Sequence, residues 1–374
     1  MGKATIAIWF MVGMYFGYFG VVTKPWEGDS LAYHIPIARI ISEGRWGDRA
    51  ALSSPLYYYP GGTEAMLAVM MRLGLPLNLF NVAGWVALVI LSREMGKKLG
   101  MERGLATIFG ISVGMWPSVI RLIMTQMVDI WLAVFWVWVW LLLCSPGRNW
   151  KYWGQLGVAT GMLIGSKYSG ILFAVIMFGF YGRGLVRNLS WRAVVAGAVG
   201  VGMFGLFWYI RNWALTGDPV YPATWWRWMG DPSFGVNNWA FWKTLVYVPG
   251  GWGKMAEAAV SEYLVWLPLG MGAALLRRNR IAILGLVNLA ACLILPSWPE
   301  NMISDLRYIY PAMIPLTAGV FLWAKEKGRE EVIGAVALAS IAAVLTQLDY
   351  HPKLLVLIIV IVGLWAALEV KRTK

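Results

Sequence analysis

Apolar residues come in runs of about 15 to 20 along this chain, and short clusters of Lys, Arg, Gly and Pro separate the runs. Crossing roughly 30 Å of hydrocarbon takes about 20 helical residues, so runs of this length read as membrane helices. Inside lipid only helices and closed barrels satisfy every backbone polar group, and the alternating segments of a barrel are missing from the sequence. The pattern predicts an all-α, polytopic bundle of twelve spans: 4–22, 77–95, 104–119, 128–144, 152–166, 169–182, 193–210, 262–276, 281–296, 308–323, 332–346 and 353–369. No small-x-small cleavage pattern follows residues 4–22, which are read as a retained first helix. The segment TEAMLAVMMRL, 63–73, is short and holds Glu64 and Arg72, and is read as a half-helix or interfacial helix.

Composition agrees with that pattern, since 59% of the 374 residues are hydrophobic and only 14% are charged. Soluble domains carry about 25% charged residues. The net charge of +13 changes the picture through its placement. With the N-terminus inside, the even connections and both termini hold 19 bases against six acids, and the other face is neutral. This is the positive-inside distribution of a multi-pass cell-membrane protein with both termini cytoplasmic. The basic clusters therefore set orientation and meet anionic membrane lipids; they do not predict nucleic-acid binding. Thirteen of the 19 acids fall on the opposite face, whose connections 23–76, 211–261 and 297–307 are the substantial ones, so the chemistry is expected to face the extracytoplasmic side. The organisation is one integral-membrane domain over 1–374, with a first outer loop at 23–76, a Trp-rich outer loop at 211–261 and no separate soluble domain. Cys144 and Cys292 lie inside apolar runs, which speaks against a disulfide scaffold or a thiolate metal site.

The first outer loop crowds Glu27, Asp29 and His34 into eight residues. Pro36 suits the first turn of a helix that runs to Glu43 and ends at Gly44. Ile37, Ile40 and Ile41 share one face of it, as in an amphipathic helix resting on the membrane surface. Carboxylates at that depth are costly unless they face water, a partner or a cavity. A base for a hydroxyl proton is one use of them, and a divalent cation held by Glu27, Asp29 and Asp129 is another. Solvated loop acids, or an Asp capping a helix, is the plain reading beside these. YYYPGGTE, 57–64, turns the chain through Pro-Gly-Gly into the half-helix, and Glu27, Tyr33, Asp129, Tyr59 and Glu64 are the candidate substrate contacts. Asp129 opens the fourth span, where it either favours the helix dipole or serves a site. Lys167, in the turn GSKYSG, is a candidate phosphate ligand or a snorkelling lysine. RNWALTGDPVYP, 211–222, starts with Arg211 and has the Pro, Gly and Asp content of turns. Trp225, Trp226, Trp228, Trp239, Trp242 and Trp252 beyond it read mainly as an interface belt. Arg307, in DLRYIYPAMIP, has the planar fork of donors that suits a phosphate; a snorkelling arginine or a partner for Asp305 is the alternative.

The sequence has no phosphate-binding glycine loop, no HExxH and no nucleotide-binding fold between spans. A donor reaching the outer face must then come through the membrane, which points to a lipid carrier. In order along the chain, WEGDSLAYHIP, YYYPGGTE, the Asp129 mouth, GSKYSG, LTGDPVYP and DLRYIYPAMIP resemble the GT-C superfamily of integral-membrane glycosyltransferases, over about residues 1–320. The likeness is to members related to the protein O-mannosyltransferase and aminoarabinose transferase groups. It implies a GT-C-like helical bundle, a polyprenyl-phosphate-linked sugar donor, transfer to an acceptor hydroxyl with inversion, and Asp29 as the general base beside Glu27. The phosphate leaving group of such a donor needs no acid if cations neutralise its charge, and Arg307, Lys167, Arg211 and His34 are the candidate ligands, Arg307 foremost; no cofactor is expected, with a divalent cation on Glu27, Asp29 and Asp129 as the variant. Relatives using pyrophosphate-linked donors need a divalent cation, and the second outer loop here offers Asp129 without a DxD pair. A transporter or flippase of a lipid-linked or small anionic substrate is the alternative; against it stand the lack of an internal repeat and of mid-span acids. A third reading, an assembly subunit of a larger membrane complex, would use the Trp-rich loop to bind a protein.

Overall fold

A computed structural model of the protein describes residues 3–346 except 146, 148, 185–189, 225–227, 233–238, 277–278 and 298–304. The expected last span, 353–369, lies outside the described residues, as do Trp225 and Trp226. The first half comprises α1 (Lys3–Val22), α2 (Ile35–Ser42), α3 (Gly62–Arg72), α4 (Leu79–Lys98), α5 (Arg103–Gly114), α6 (Pro117–Leu122), α7 (Asp129–Leu143), α8 (Trp150–Ser166) and α9 (Ser169–Tyr181). After these come α10 (Trp191–Val201), α11 (Phe207–Thr216), α12 (Phe241–Tyr247), α13 (Gly251–Tyr263), α14 (Trp266–Leu276), α15 (Arg280–Cys292), α16 (Tyr310–Glu326) and α17 (Glu330–Thr346). One two-residue antiparallel pairing joins Trp239–Ala240 to Pro296–Ser297.

The apolar pattern locates these helices closely. α7, DIWLAVFWVWVWLLL, is apolar on every face after its first residue, and a helix of that kind belongs in a core. It does lie there: Leu132, Ala133, Trp136, Val137, Val139 and Trp140 are buried, and α4, α8, α9 and α16 pack round it. The other central helix, α16, is buried from Tyr310 to Phe321 with Pro311 in its first turn, where no helical N–H is lost.

α8 packs backbone to backbone against α10 and the π-helical turn after it, and the cause is visible in sequence as glycines at 157, 161 and 165. A Cβ at Gly161 would stand 2.6 Å from the Gly200 carbonyl, and one at Gly157 2.3 Å from that of Gly197. Only the missing side chains let the two backbones approach in this way, as in small-residue seams of membrane bundles. The same ridge meets α3, where a Cβ at Gly62 would lie 2.8 Å from the Gly165 carbonyl.

Several expectations need correction. The expected span 104–119 is broken, because α5 stops at Gly114 and Pro117 starts the separate α6. The span set at 193–210 continues to Thr216 through a π-helical turn at Gly202–Leu206, so the start of the expected 211–261 loop is helical; the turns begin only at Gly217, whose φ is +79°. Further along that loop α12 and α13 form, and α13 meets α14 at a bend of 101°. Leu264 sits in the bend with φ +52°, a strained value for a side chain of its kind. Apolar residues of α2 pack within the protein: Ile35 and Ala38 lie on Leu67 and Ala68 of α3 and on Phe80, with Ile41 at the margin, and Ile40 joins Leu52 and Tyr58. By length and composition two helices among the described residues suffice to cross a membrane, α4 and the 26-residue run Trp191–Thr216; the bent α13–α14 pair makes a third if taken as one span. The other apolar helices, α5, α7, α9 and α15, are shorter than 18 residues.

Gly161→Leu is expected to drive a side chain into the Gly200 carbonyl and to cost about 1–3 kcal/mol of stability. The unfolding midpoint in detergent should fall, while Gly179→Ala, where a Cβ meets nothing within 4 Å, leaves it unchanged or higher.

Candidate active site

The site is assembled where α1 and α8 end and α7, α9 and α16 begin. Its first part is a capped turn. Glu27 accepts hydrogen bonds from the backbone of Asp29 (2.9 Å) and Ser30 (2.7 Å) and from the Ser30 hydroxyl (2.8 Å). Glu27 thus spends its carboxylate on orienting the turn, which leaves the Asp29 side chain as the half-exposed acid of the pair, 41% open.

A chain of amides locks this turn to the segment before α7. The Gln126 backbone N–H donates to the Ser30 hydroxyl at 2.9 Å, and its side-chain amide donates to Asn78 at 2.6 Å. Asn78 in turn donates to the Thr23 carbonyl at the end of α1. Asn81 holds the same segment from the other side, donating to the carbonyls of Leu122 and Met127. These amides are fully buried. Their amide N–H groups all find acceptors, whereas Gln126 Oε1 and Asn81 Oδ1 have no partner; donors paired in a buried setting favour a single arrangement.

That clamp brings two acids to one arginine. Arg307 donates through Nη2 to Asp29 at 3.0 Å, and its Nε lies 3.5 Å from Asp129. Asp129 is 1% exposed and accepts from Lys167 at 2.8 Å through its other oxygen. Lys167 Nζ also stands 3.8 Å over the Tyr308 ring, and the Arg307 guanidinium lies 5.2 Å from it. The contact between Arg307 Nε and Asp129 Oδ2 is too long for a hydrogen bond, and neither atom has another partner. The order along the row is Asp29, Arg307, Asp129, Lys167, with signs alternating. Arg307 is held from behind by Tyr263, whose hydroxyl donates to the Leu306 carbonyl at 2.6 Å. The bend after α13 is what puts Tyr263 there. Beside it Glu262, buried, pairs with Arg121 of α6.

The remaining candidates divide into two groups. His34 Nδ1 and Glu64 Oε1 pair at 2.8 Å with both side chains buried, and the second Glu64 oxygen has no partner. Tyr33 stacks beside His34 and, edge-on, against Tyr59. Burial, with Asp29 adding to it, pushes the Tyr33 and Tyr59 hydroxyls well above the ordinary phenol value, so both remain O–H donors. Arg211 stands apart in a separate buried cluster: with Asn212 it donates to the carbonyl of Tyr58, and its guanidinium lies 5.1 Å from the Trp208 ring. It has the partners of a brace for the 57–59 turn. Burial lowers the Lys167 pKa, Asp129 beside it acts the other way, Arg307 adds to the lowering, and the balance falls below the ordinary lysine value. Burial also works against the Arg307 charge, but Tyr308, Asp129 and Asp29 outweigh it and hold the guanidinium cationic.

The Glu27, Asp29 and Asp129 set does not suit a divalent cation. Glu27 is turned onto backbone N–H groups, and a guanidinium stands between the two aspartates. Among the described residues no group of three or more His, Cys, Asp or Glu gathers as a cation site. Sequence reading passed over Ser30, Asn78, Gln126, Tyr263 and Tyr308. Gln126 and Asn78 were discernible as uncharged polar residues flanking apolar runs; Tyr263 had no local mark, since its role depends on a distant carbonyl.

No family model matches the chain, and no curated protein matches it. Among solved structures it is similar to ArnT from Cupriavidus metallidurans bound to undecaprenyl phosphate, with a TM-score of 0.58 at 16% identity. It is similar also to the apo state of that protein, with a TM-score of 0.56 at 17% identity. Each alignment covers 94% of this chain and 67% of the other. The chain shares the fold of that protein, which is the helical bundle that the sequence resemblance implies.

Asp129→Ala would leave Lys167 and Arg307 short of a counter-charge in a buried setting. We expect a loss of about 3–5 kcal/mol in denaturant unfolding, recovered in part by adding Lys167→Met.

Proposed function

We propose that this protein is a membrane glycosyltransferase that moves a sugar from a polyprenyl-phosphate-linked donor to an acceptor hydroxyl on the extracytoplasmic face, with inversion. The observation that carries the reading is the meeting of a half-exposed carboxylate, Asp29, with two cations, Arg307 and Lys167, at one end of the bundle. Inverting transfer from a phosphate needs that pairing: a base on the side of attack and positive charge on the side of departure. The fold is shared with a protein crystallised with undecaprenyl phosphate, a ligand of the class proposed for the donor.

In this reading Asp29 accepts the proton of the acceptor hydroxyl as its oxygen attacks the anomeric carbon. The bond from that carbon to the phosphate oxygen breaks, and its electron pair leaves with the phosphate. Arg307 and Lys167 neutralise the charge that builds on the leaving oxygens, so no acid is required there. The hydroxyls of Tyr33 and Tyr59, kept protonated, line the approach as donors. The His34–Glu64 pair sets the ring face on which Tyr33 rests. The acidic outer connections and the basic opposite face support a reading in which this chemistry lies outside the cell and both termini lie inside.

Asp29→Asn should reduce sugar transfer from a polyprenyl-phosphate sugar by about 10²–10⁴-fold while the protein folds and retains donor binding. Unchanged transfer by this variant would overturn the assignment.

Because the Lys167 pKa is lowered, its charge is lost at a pH below that of an ordinary lysine. Binding of undecaprenyl phosphate should therefore weaken as pH rises through the alkaline range, and Lys167→Arg should flatten that dependence. Calorimetric titration at several pH values checks both.

A further inference from the structure

The row of charges raises a question that the proposed reaction leaves open. Both cations already hold carboxylates before any phosphate arrives, so a phosphate must share them or take one away. Asp129 cannot give up its partners readily. It is 1% exposed, fixed at the first residue of α7, and bound to Lys167 at 2.8 Å; moving it out would strand a buried charge. Asp29 is 41% exposed, so water can replace its partner. Arg307 itself grips neither acid bidentately: one Nη2 hydrogen bond goes to Asp29, and Nε faces Asp129 at 3.5 Å without bonding it. A guanidinium gains most from a planar, two-point partner, which a phosphate provides and these two separate acids do not.

We propose that Arg307 is a positioning residue that holds Asp29 in an ion pair until the phosphate of the lipid donor draws the guanidinium away, so that the base becomes free only in the donor complex. This deepens the function proposed above and rests on it. The device has a plain use. While the site is empty the Asp29 oxygen that faces Arg307 is occupied by the guanidinium, and it is released to an acceptor hydroxyl only when a sugar is in place. Donor would then bind before acceptor. Nothing in the row has to travel far: Asp29 stays fixed by the Glu27 cap, Leu306 stays fixed by Tyr263, and only the tip of Arg307 turns from one oxygen partner to another.

Asp29 competes with phosphate for Arg307, so removing the Asp29 charge should tighten phosphate binding in a variant that has lost catalysis. With undecaprenyl phosphate in detergent micelles as the probe, titration calorimetry should give Asp29→Asn a Kd roughly fivefold lower than that of the unsubstituted protein, the worth of one half-exposed ion pair. Arg307→Gln should weaken binding, and adding Asp29→Asn to it should bring no gain, because there is no longer a guanidinium to compete for. A gain of equal size in both backgrounds would mean that Asp29 merely repels phosphate through space, and would overturn the proposal. So would unchanged or weaker binding by Asp29→Asn alone. If Arg307→Gln does not fold, Arg307→Lys serves instead: its ammonium has no planar fork, and the gain on adding Asp29→Asn should fall to less than half. Failure of undecaprenyl phosphate to bind the unsubstituted protein at all would instead remove the underlying functional reading, so the two failures are told apart.

Discussion

A carboxylate shielded from water beside two cations, Asp129 between Lys167 and Arg307, is the constraint on which this end of the molecule depends. An unpaired charge there would cost several kcal/mol, so α7, the α8–α9 turn and the segment before α16 must come together for the bundle to close. The same requirement that fixes the fold also concentrates positive charge at a single point. Stability and chemistry draw on one set of atoms. That explains why the site sits on helix ends: the first residue of α7 and the residue after α8 are the positions from which side chains of opposite charge can meet across a packed core.

Around that centre lies a layer of neutral polar groups with a different role. Gln126, Asn78 and Asn81 carry no charge and do not touch the acids, yet they bind the Asp29 turn, the end of α1, the start of α4 and the segment before α7 into one body. Tyr263 does the same for Arg307 from the far side. The charged row is thereby held by groups tied to several segments at once, as the proposed reaction would demand of it.

Much of this was legible in the sequence. Long apolar runs located α1, α4, α7, α8, α9, α15, α16 and α17 closely, because a buried helix needs little besides apolar residues. Charge at the ends of those runs marked Asp29, Asp129, Lys167 and Arg307 as candidates, since charge at such depth is costly, though helix dipole, snorkelling and solvated-loop roles were also open in sequence. What escaped was everything set by contact between distant segments. The helical stretch of 241–263 was hidden because its packing against α6 and the Leu306–Ile309 turn, not its composition, makes it a helix. The apolar face of α2 was legible, but α3 as its cover was not, for a stripe of isoleucines names no partner. Arg211 looked like Arg307 in sequence; only the carbonyl of Tyr58 distinguishes a brace from a row of charges.

The glycine seam between α8 and α10 carries a mechanical consequence. With backbone lying on backbone there is no side chain to flex between the two helices, so they turn as one piece. The run Trp191–Thr216 is the longest apolar helix among the described residues, and such a helix answers a thinner or thicker bilayer by changing its tilt. Any such tilt passes through the seam to α8, whose last residue adjoins Lys167, and through Gly165 to the start of α3, where Glu64 lies. The surrounding lipid thus has a rigid lever on the spacing of the charges at the far end.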